Sequence, residues 1–295
     1  LRSPLRRAAF AGRAYPEDAE GLRKTLAGYF APLPPSEGRE VKGLVAPHID
    51  FSRGGECYAH AYQALKASGP YDLYVILGTS HRPMEEPFSL TRKDFLTPLG
   101  RVETEDGWVR EIQEAVPFDP FRDEFNHCHE HTIEFQVVFL QYLWGEGFRI
   151  LPVLCGSFHR FIEEGKDPWQ DERLRSFLEA LKGLISKQGK RVAIIASADL
   201  AHVGPQFGDP SPLNGAILRE VREKDMEMLS YVERGDPSGF YRYVEREKDR
   251  RHICGLAPNY SLLRLVEGEK GEILAYRQWH DPQGMGAVTF TSIVL

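Results

Sequence analysis

Histidines stand at the ends of two predicted strands. The apolar run 41–47 is followed by His48, and the run 73–80 is followed by His81. Because the ligand crevice of an open α/β sheet lies outside the carboxyl ends of its strands, we expect the two imidazoles to converge. Neutral imidazole is a common ligand for zinc, copper and iron. The pattern predicts a metal site at this edge, although His48 taken alone could equally be a hydrogen-bonded loop residue.

A third strand end carries a carboxylate and an imidazole. The predicted strand 191–197 is followed by Asp199, and His202 lies three residues further on. A carboxylate can orient an imidazole, fix its tautomer and raise its basicity. We therefore predict that His202 carries protons and that Asp199 orients it. Asp199 could instead cap the turn that follows.

Cys254 lies in a loop just before a predicted helix. A cysteine at the N-terminus of a helix can have a lowered pKa and act as a thiolate nucleophile or a metal ligand. The alternative is that it serves only as a small hydrophobic residue.

Residues 126–134 are rich in histidine. His131 and Glu134, three residues apart, would share a helix face and point at one site. His127 and His129, two residues apart, would share a strand face. No fixed zinc-ligand spacing is matched, which argues against an independent metal site in this segment.

Strands and helices alternate along the chain, which predicts the framework for these residues. The predicted strands span about residues 41–47, 73–80, 149–154, 191–197, 271–279 and 286–294, with a β excursion at 87–103. The predicted helices span about residues 16–29, 55–67, 104–115, 132–144, 171–186, 212–233, 237–248 and 258–266, with Thr104 as an N-cap. This order predicts one α/β domain over residues 1–295, with three layers and a mostly parallel sheet covered by helices on both faces.

Composition limits the classes of partner. The chain has 295 residues, of which 42% are hydrophobic and 27% charged, and its net charge is −6. The mild acidity argues against a nucleic-acid partner. We expect no membrane span and no secretory signal, because no stretch of about 20 apolar residues and no charged-then-apolar leader is present. Four scattered cysteines predict a reduced, cytoplasmic protein.

Five ordered sequence blocks resemble the Memo family, whose bacterial and archaeal members are called AmmeMemoRadiSam system protein B. The blocks are Ala46-Pro47-His48, Gly78-Thr79-Ser80-His81, Glu130-His131-Thr132-Ile133-Glu134, Ser197-Ala198-Asp199 with His202, and Ile253-Cys254-Gly255. The opening Ala11-Gly12-Arg13-Ala14-Tyr15-Pro16 also looks like the start of that family. The resemblance implies a fold like that of the LigB-type class III extradiol dioxygenases, which is phosphorylase/hydrolase-like.

The resemblance also implies roles for individual residues. Those dioxygenases hold non-haem Fe(II) with two histidines and a carboxylate. By similarity, His48 and His81 are the histidine ligands, Cys254 stands in place of the carboxylate, and His202 in place of an acid–base histidine. The residues that would line or support the pocket are Asp199, Glu130, His131, Ser80 and Asp50. Iron(II) is the first expectation for the metal, with copper second and zinc third.

Two departures from the family pattern bear on function. A thiolate is a softer ligand than a carboxylate and favours copper(I) or zinc more than an oxygen ligand would, which argues against catechol cleavage. Arg13 stands where the animal members carry a tryptophan linked to phosphopeptide binding. Phosphotyrosine recognition is therefore not expected here.

Three functions remain open from the sequence. The first is a metal-dependent oxidoreductase, related to dioxygenases, that acts on an unidentified small molecule. The second is a metal-free hydrolase in which Cys254 attacks a carbonyl, His202 is the base and Asp199 orients it. The third is a non-catalytic binding or adaptor protein with a vestigial pocket. The family name also points to AMMECR-type and radical-SAM proteins as partners.

Overall fold

The computed structural model describes residues 3–36, 38–187 and 189–295, so residues 1, 2, 37 and 188 of the predicted domain lie outside it. The strands are β1 Leu5–Arg7, β2 Gly43–Ala46, β3 Leu73–Thr79, β4 Phe88–Leu90, β5 Asp94–Thr97, β6 Gly100–Thr104, β7 Arg149–Cys155, β8 Val192–Ser197, β9 Asp199–Val203, β10 Glu272–His280 and β11 Ala287–Val294. The α-helices are α1 Ala19–Phe30, α2 Phe51–Ser68, α3 Asp106–Ala115, α4 Thr132–Trp144, α5 His159–Glu164, α6 Glu172–Ser186, α7 Gly215–Glu233, α8 Pro237–Arg246 and α9 Leu256–Leu265.

A single sheet runs through the molecule in the order β1-β5-β6-β7-β3-β8-β2-β11-β10, with β4 paired to β7 and β9 paired to β11. The four central strands β7, β3, β8 and β2 are parallel. Antiparallel pairs flank them on both sides, as in β5 with β6 and β10 with β11. The α/β class is therefore confirmed, and the complete sheet is mixed, with its parallel part at the centre.

Helices cover both faces of this sheet, because alternate residues of the central strands enter different cores. Leu73, Val75 and Leu77 of β3 pack in the core beneath α3 and α5–α9. Tyr74 and Ile76 pack in the opposite core, beneath α1, α2 and α4. Side chains of a strand point alternately to the two faces of the sheet. The sequence of a strand that is buried on both faces is therefore a continuous apolar run. The predicted three layers are confirmed.

Helix α2 begins four residues earlier than predicted. The Asp50 side chain caps it by accepting a hydrogen bond from the Arg53 backbone N–H. Two glycines inside the first turns give room to neighbouring side chains. A Cβ on Gly55 would lie 2.3 Å from the Tyr29 ring, and one on Gly54 would lie 2.5 Å from Ile49.

The prediction of Thr104 as an N-cap is wrong. Thr104 is the last residue of β6, and its hydroxyl donates to the Lys93 carbonyl oxygen at 2.7 Å. Helix α3 begins at Asp106, after Glu105, and has no side-chain cap. Of the strands and α-helices given above, β1, α5 and β9 escaped prediction altogether. Each has only 3 to 6 residues, too short for a hydrophobic period to be recognised. Among the described residues, no helix combines the length and the hydropathy needed to cross a bilayer.

Candidate functional site

His48 lies two residues after Ala46, the last residue of β2, and only 2% of its surface is exposed. Its Nδ1 lies 3.0 Å from the Ser197 carbonyl oxygen, at the end of β8. A carbonyl can only accept, so Nδ1 carries the proton and Nε2 presents its lone pair. Burial, reinforced by the charges of His81 and His131, holds the pKa of His48 well below its usual value. His48 is therefore a neutral imidazole with a free ligand atom.

His81 follows β3, and Glu130 fixes its ring. The His81 Nδ1 lies 3.1 and 3.2 Å from the two Glu130 carboxylate oxygens, and the His81 backbone N–H donates to the same carboxylate at 2.8 Å. Burial alone lowers the pKa of His81, but the hydrogen bond and charge of Glu130 outweigh it and raise that pKa. This contact leaves Nε2 of His81 free to face the site.

Glu130 holds a second imidazole in the same way. The His131 Nδ1 lies 3.0 Å from Glu130 Oε1, and the His131 ring stacks on that of His81 with a centroid distance of 5.0 Å. Burial would raise the pKa of Glu130, but the hydrogen bonds and charges of the two histidines hold it well below its usual range. Glu130 is therefore a permanent carboxylate that orients two rings at once.

Cys254 completes the group. Its Sγ lies 3.3 Å from Nε2 of His48, and the ligand atoms of His48, His81 and Cys254 all lie within 4.8 Å of one another. A second group of possible ligands, formed by His81, Glu130 and His131, shares His81 with the first. Within the described residues, these two are the only such groups. The structure thus brings together the three ligands that the resemblance implied.

The lowered thiol pKa that the loop position suggested is wrong. Helix α9 begins only at Leu256, and burial raises the pKa of Cys254 well above its usual value, with the Asp199 carboxylate adding to the shift. The thiol is therefore neutral at pH 7 without a cation beside it. A coordinated metal ion would remove that proton.

Asp199 contacts His48 and not His202. It is the first residue of β9, and its carboxylate accepts the His48 backbone N–H at 2.9 Å. Its other oxygen lies 3.7 Å from His48 Nε2. No hydrogen bond joins it to His202 among the described residues, so the predicted pairing is wrong, as is the alternative of a turn cap. Burial raises the pKa of Asp199 to about 7.

His202 lies across the site on β9. Its Nδ1 lies 3.2 Å from the Leu200 carbonyl oxygen, and its ring packs edge-on against Phe207. Burial lowers the pKa of His202 to about 4. The ring is therefore neutral at pH 7, with Nε2 as its unprotonated nitrogen.

Two cavities meet at the ligand group. The larger, of about 310 Å³ and here named pocket A, contains His48, His81, His202 and Asp199, with Phe10, His131, Phe135 and Phe207 as aromatic walls. The smaller, of about 220 Å³ and named pocket B, contains Ser80, His81 and Cys254. Because His81 lines both, the ligand group stands between them. Of the predicted pocket residues, Asp50 faces pocket A beside Arg53, and Ser80 faces pocket B.

The expectation for the histidine-rich segment is corrected in two respects. Glu134 points away from the site, because it forms a buried ion pair with Arg6 of β1 and accepts the Tyr15 hydroxyl, while His131 faces the ligand group. Residues 124–128 form a 3₁₀ helix, so His127 and His129 do not share a strand face. His127 is buried with its Nε2 3.1 Å from the Ser89 carbonyl oxygen, and His129 is exposed.

Gln136 of α4 is a supporting residue that sequence analysis missed. Its side-chain amide donates to the Pro47 carbonyl oxygen at 2.8 Å and to the Ser197 hydroxyl at 2.7 Å. It therefore ties the ends of β2 and β8 together, beneath His48. The available signal was a polar residue inside a mostly apolar helix, because buried polar groups require partners.

Comparisons with known proteins agree on one family. A family model described as Memo-like protein matches residues 6–293. A MEMO1 family protein of Methanosarcina acetivorans is 32% identical over 293 residues, covering 96% of each chain. A MEMO1 family protein of Thermus thermophilus is 30% identical and covers 97% of this chain and 81% of its own. An uncharacterized Escherichia coli protein, JW3007, superposes with a TM-score of 0.50 at 14% identity, covering 87% of this chain and all of its own, a likeness of fold alone.

Proposed function

This chain belongs to the Memo-like protein family, and from that premise we propose that it is a metal-dependent oxidoreductase with His48, His81 and Cys254 as its ligands. Its substrate would be a small oxidisable molecule bound in pocket A. The observation that carries the proposal is the convergence of the three ligand atoms within 4.8 Å of one another, from two strand ends and a loop that are far apart in sequence.

The donor set fits a metal ion in its protonation and orientation. The Nδ1 atoms of both histidines are occupied by acceptors, Ser197 and Glu130, so both Nε2 atoms are available. Metal-bound histidines commonly donate their other N–H to a carbonyl or carboxylate in this manner. In our proposal the metal is iron(II) first, copper second and zinc third; this order follows the resemblance to the dioxygenases, since the thiolate by itself favours copper(I) or zinc. A bound redox metal would supply electron transfer with oxygen or substrate.

The other pocket residues have separate roles in this proposal. The aromatic walls of pocket A exclude water and hold an apolar substrate body. His202 is neutral at pH 7 and therefore able to accept a proton from a substrate hydroxyl. Asp199 lies beside the His48 ring and, with a pKa of about 7, can hold or release a proton near neutrality.

The metal-free hydrolase is the weaker alternative. It requires a thiolate and an imidazole base oriented by a carboxylate. Burial instead raises the pKa of Cys254, and the Asp199 carboxylate contacts His48. The binding or adaptor function predicts that substitution of His48 or His81 leaves partner binding unchanged. Association with AMMECR-type or radical-SAM proteins stays a proposal drawn from the family name.

Metal content of anaerobically purified protein tests the proposal. We expect near-stoichiometric iron or copper in the wild type and little in Cys254→Ser or His81→Ala. Cys57→Ser is the matched control, because burial raises the pKa of the Cys57 thiol, to about 12, as it raises that of Cys254, but Cys57 belongs to neither ligand group. Absence of metal from the wild type under every loading condition would refute the metal centre. Equal loss in Cys57→Ser would show general misfolding.

A further inference from the structure

We infer that Asp225, a carboxylate outside both pockets, is a positioning residue that fixes the Cys254 ligand and His202 relative to each other. The inference rests on the proposed function, because it concerns the same ligand group. Asp225 lies on α7 with none of its surface exposed. Its contacts reach two elements that meet at the site, the segment 248–255, here named the Cys254 loop, and strand β9.

The first carboxylate oxygen of Asp225 holds the Cys254 loop. It pairs with the guanidinium of Arg251, which is itself only 5% exposed. The same guanidinium contacts Glu247 at 2.7 and 3.0 Å, so two carboxylates fix its orientation. Arg251 lies three residues before Cys254, and its side chain is therefore an anchor for the segment that delivers the thiol.

The second carboxylate oxygen reaches β9 indirectly, through Thr289 of β11. It accepts hydrogen bonds from the hydroxyls of Thr289, at 2.6 Å, and Tyr276, at 2.8 Å. The Thr289 oxygen in turn accepts the backbone N–H of Ala201 at 2.9 Å. Ala201 precedes His202, so the position of this ring depends on a chain of two hydrogen bonds that begins at Asp225.

The two elements are also joined directly. The His202 backbone N–H donates to the Arg251 carbonyl oxygen at 2.7 Å, and the His252 Nδ1 lies 3.2 Å from the His202 carbonyl oxygen. The Cys254 loop and β9 are therefore bonded to each other, and Asp225 is bonded to the loop directly and to β9 through Thr289.

The Cys254 loop needs such restraint because its backbone is strained. Lys248, Asp249 and His252 have φ values of 53°, 49° and 49°, in the left-handed region that non-glycine residues rarely occupy. Strained residues persist only where the surrounding structure determines them. A buried ion pair adds little net stability over apolar side chains, because desolvation offsets the attraction, but it does impose one geometry.

The test compares two substitutions of the same kind on β11. Thr289→Val removes the hydroxyl between Asp225 and Ala201. Thr291→Val, the matched control, removes an equally buried hydroxyl that donates to the Ala275 carbonyl oxygen at 2.8 Å. Asp225→Asn is the second positioning variant, and it keeps the side-chain shape. All three would be titrated with Co(II), with affinity and the thiolate-to-cobalt absorption band as readouts.

We expect Thr289→Val and Asp225→Asn to bind Co(II) about 10- to 100-fold more weakly than the wild type, with a shifted thiolate band. Thr291→Val should match the wild type to within about threefold, because its hydroxyl supports neither element. Wild-type affinity and band in Thr289→Val, or equal losses in both threonine variants, would overturn the inference.

A metal-free readout separates this inference from the proposed function. Failure of the wild type to bind Co(II) would count against the metal centre alone, and the positioning role would then be judged from alkylation of Cys254 in the metal-free protein. We expect the rate to rise at least about tenfold in Thr289→Val and Asp225→Asn, as the loop opens, but not in Thr291→Val. Equal rates in the three variants would refute the positioning role.

Discussion

Glu130→Gln is the most informative single substitution at the ligand group. The carboxylate accepts the backbone N–H groups of both His81 and His131, at 2.8 Å each, as well as their two Nδ1 atoms. Glutamine has the same shape but one acceptor oxygen, so its NH₂ group must face at least one N–H donor. The variant therefore loses both a charge and part of the acceptor set, without a change in volume.

The expected magnitude follows from these contacts. A hydrogen bond to a charged group contributes about 1.5–3 kcal/mol, against about 1 kcal/mol for a neutral pair, so we expect the free energy of unfolding to fall by about 2–3 kcal/mol. Loss of the carboxylate that orients a metal-bound histidine typically weakens metal affinity about 10- to 100-fold, which is about 1.4–2.7 kcal/mol. His81 is the ligand affected, because its ring would keep neither the orientation nor the basicity that Glu130 confers.

Two assays separate the effects. Denaturant unfolding of the metal-free protein gives the stability change, and Co(II) titration against a competing chelator gives the affinity. Glu105→Gln is the control. Glu105 is also a buried carboxylate, but it lies at the opposite ends of the central strands. Burial would raise its pKa, but Lys190 and Arg149 hold that pKa below its usual value. Unchanged metal affinity in Glu130→Gln, or an equal loss in Glu105→Gln, would refute the reasoning.

Three further predictions concern the same framework. Gly255→Ala should abolish tight Co(II) binding in a titration and cost about 1–3 kcal/mol in urea unfolding, since the new Cβ would lie 2.4 Å from the Asp199 carbonyl oxygen. His127 should lower the free energy of unfolding by up to about 1.4 kcal/mol per pH unit as pH drops from about 6.5 toward 3, because burial lowers its pKa to about 3 and only the unfolded state is protonated in that window. His48 and His202, whose pKa values burial also lowers, add to the total slope. His127→Gln should flatten this slope by about one proton, and an unchanged slope would contradict the assignment. Cys128 and Cys254 are both partly exposed, but iodoacetamide at pH 7 should label Cys128 well before Cys254, because burial of the Cys254 thiol raises its pKa well above the usual value. Peptide mapping would show the order, and faster labelling of Cys254 would favour the hydrolase.

The parallel centre of the fold was predictable because its strands are buried on both faces. A strand such as β3 must be apolar throughout, and its bounds follow from where that run ends. The edges were not predictable in the same way. β9 has only 5 residues, and its pairing with β11 depends on contacts across more than 80 positions of sequence. Neither composition nor period encodes such a pairing, so the sequence placed Asp199 after the strand 191–197 and predicted no strand that begins there.

The three residues of the ligand group were predicted, but the hydrogen-bond partners of the residues around them were not. Strand-end position was enough to suggest that His48 and His81 converge, because parallel topology brings such residues to one edge. The partner of a buried carboxylate depends on side-chain direction, which the sequence does not specify. Asp199 therefore contacts His48 and not the nearer residue in sequence, His202. Glu134 likewise turns to Arg6, 128 positions away.

The protonation states of His48, Cys254 and Asp199 argue against a cysteine nucleophile. Burial lowers the pKa of His48, raises that of Cys254 and raises that of Asp199 to about 7, so each of these groups tends toward its neutral form in the absence of a cation. A cysteine nucleophile needs the reverse, a thiolate stabilised by a charged imidazole. A cation bound by the two Nε2 atoms and Sγ would stabilise the thiolate, because it replaces the thiol proton and offsets the Glu130 charge behind His81. The raised pKa of Cys254 therefore makes its thiol a poor free nucleophile but does not prevent it from binding a metal ion as a thiolate.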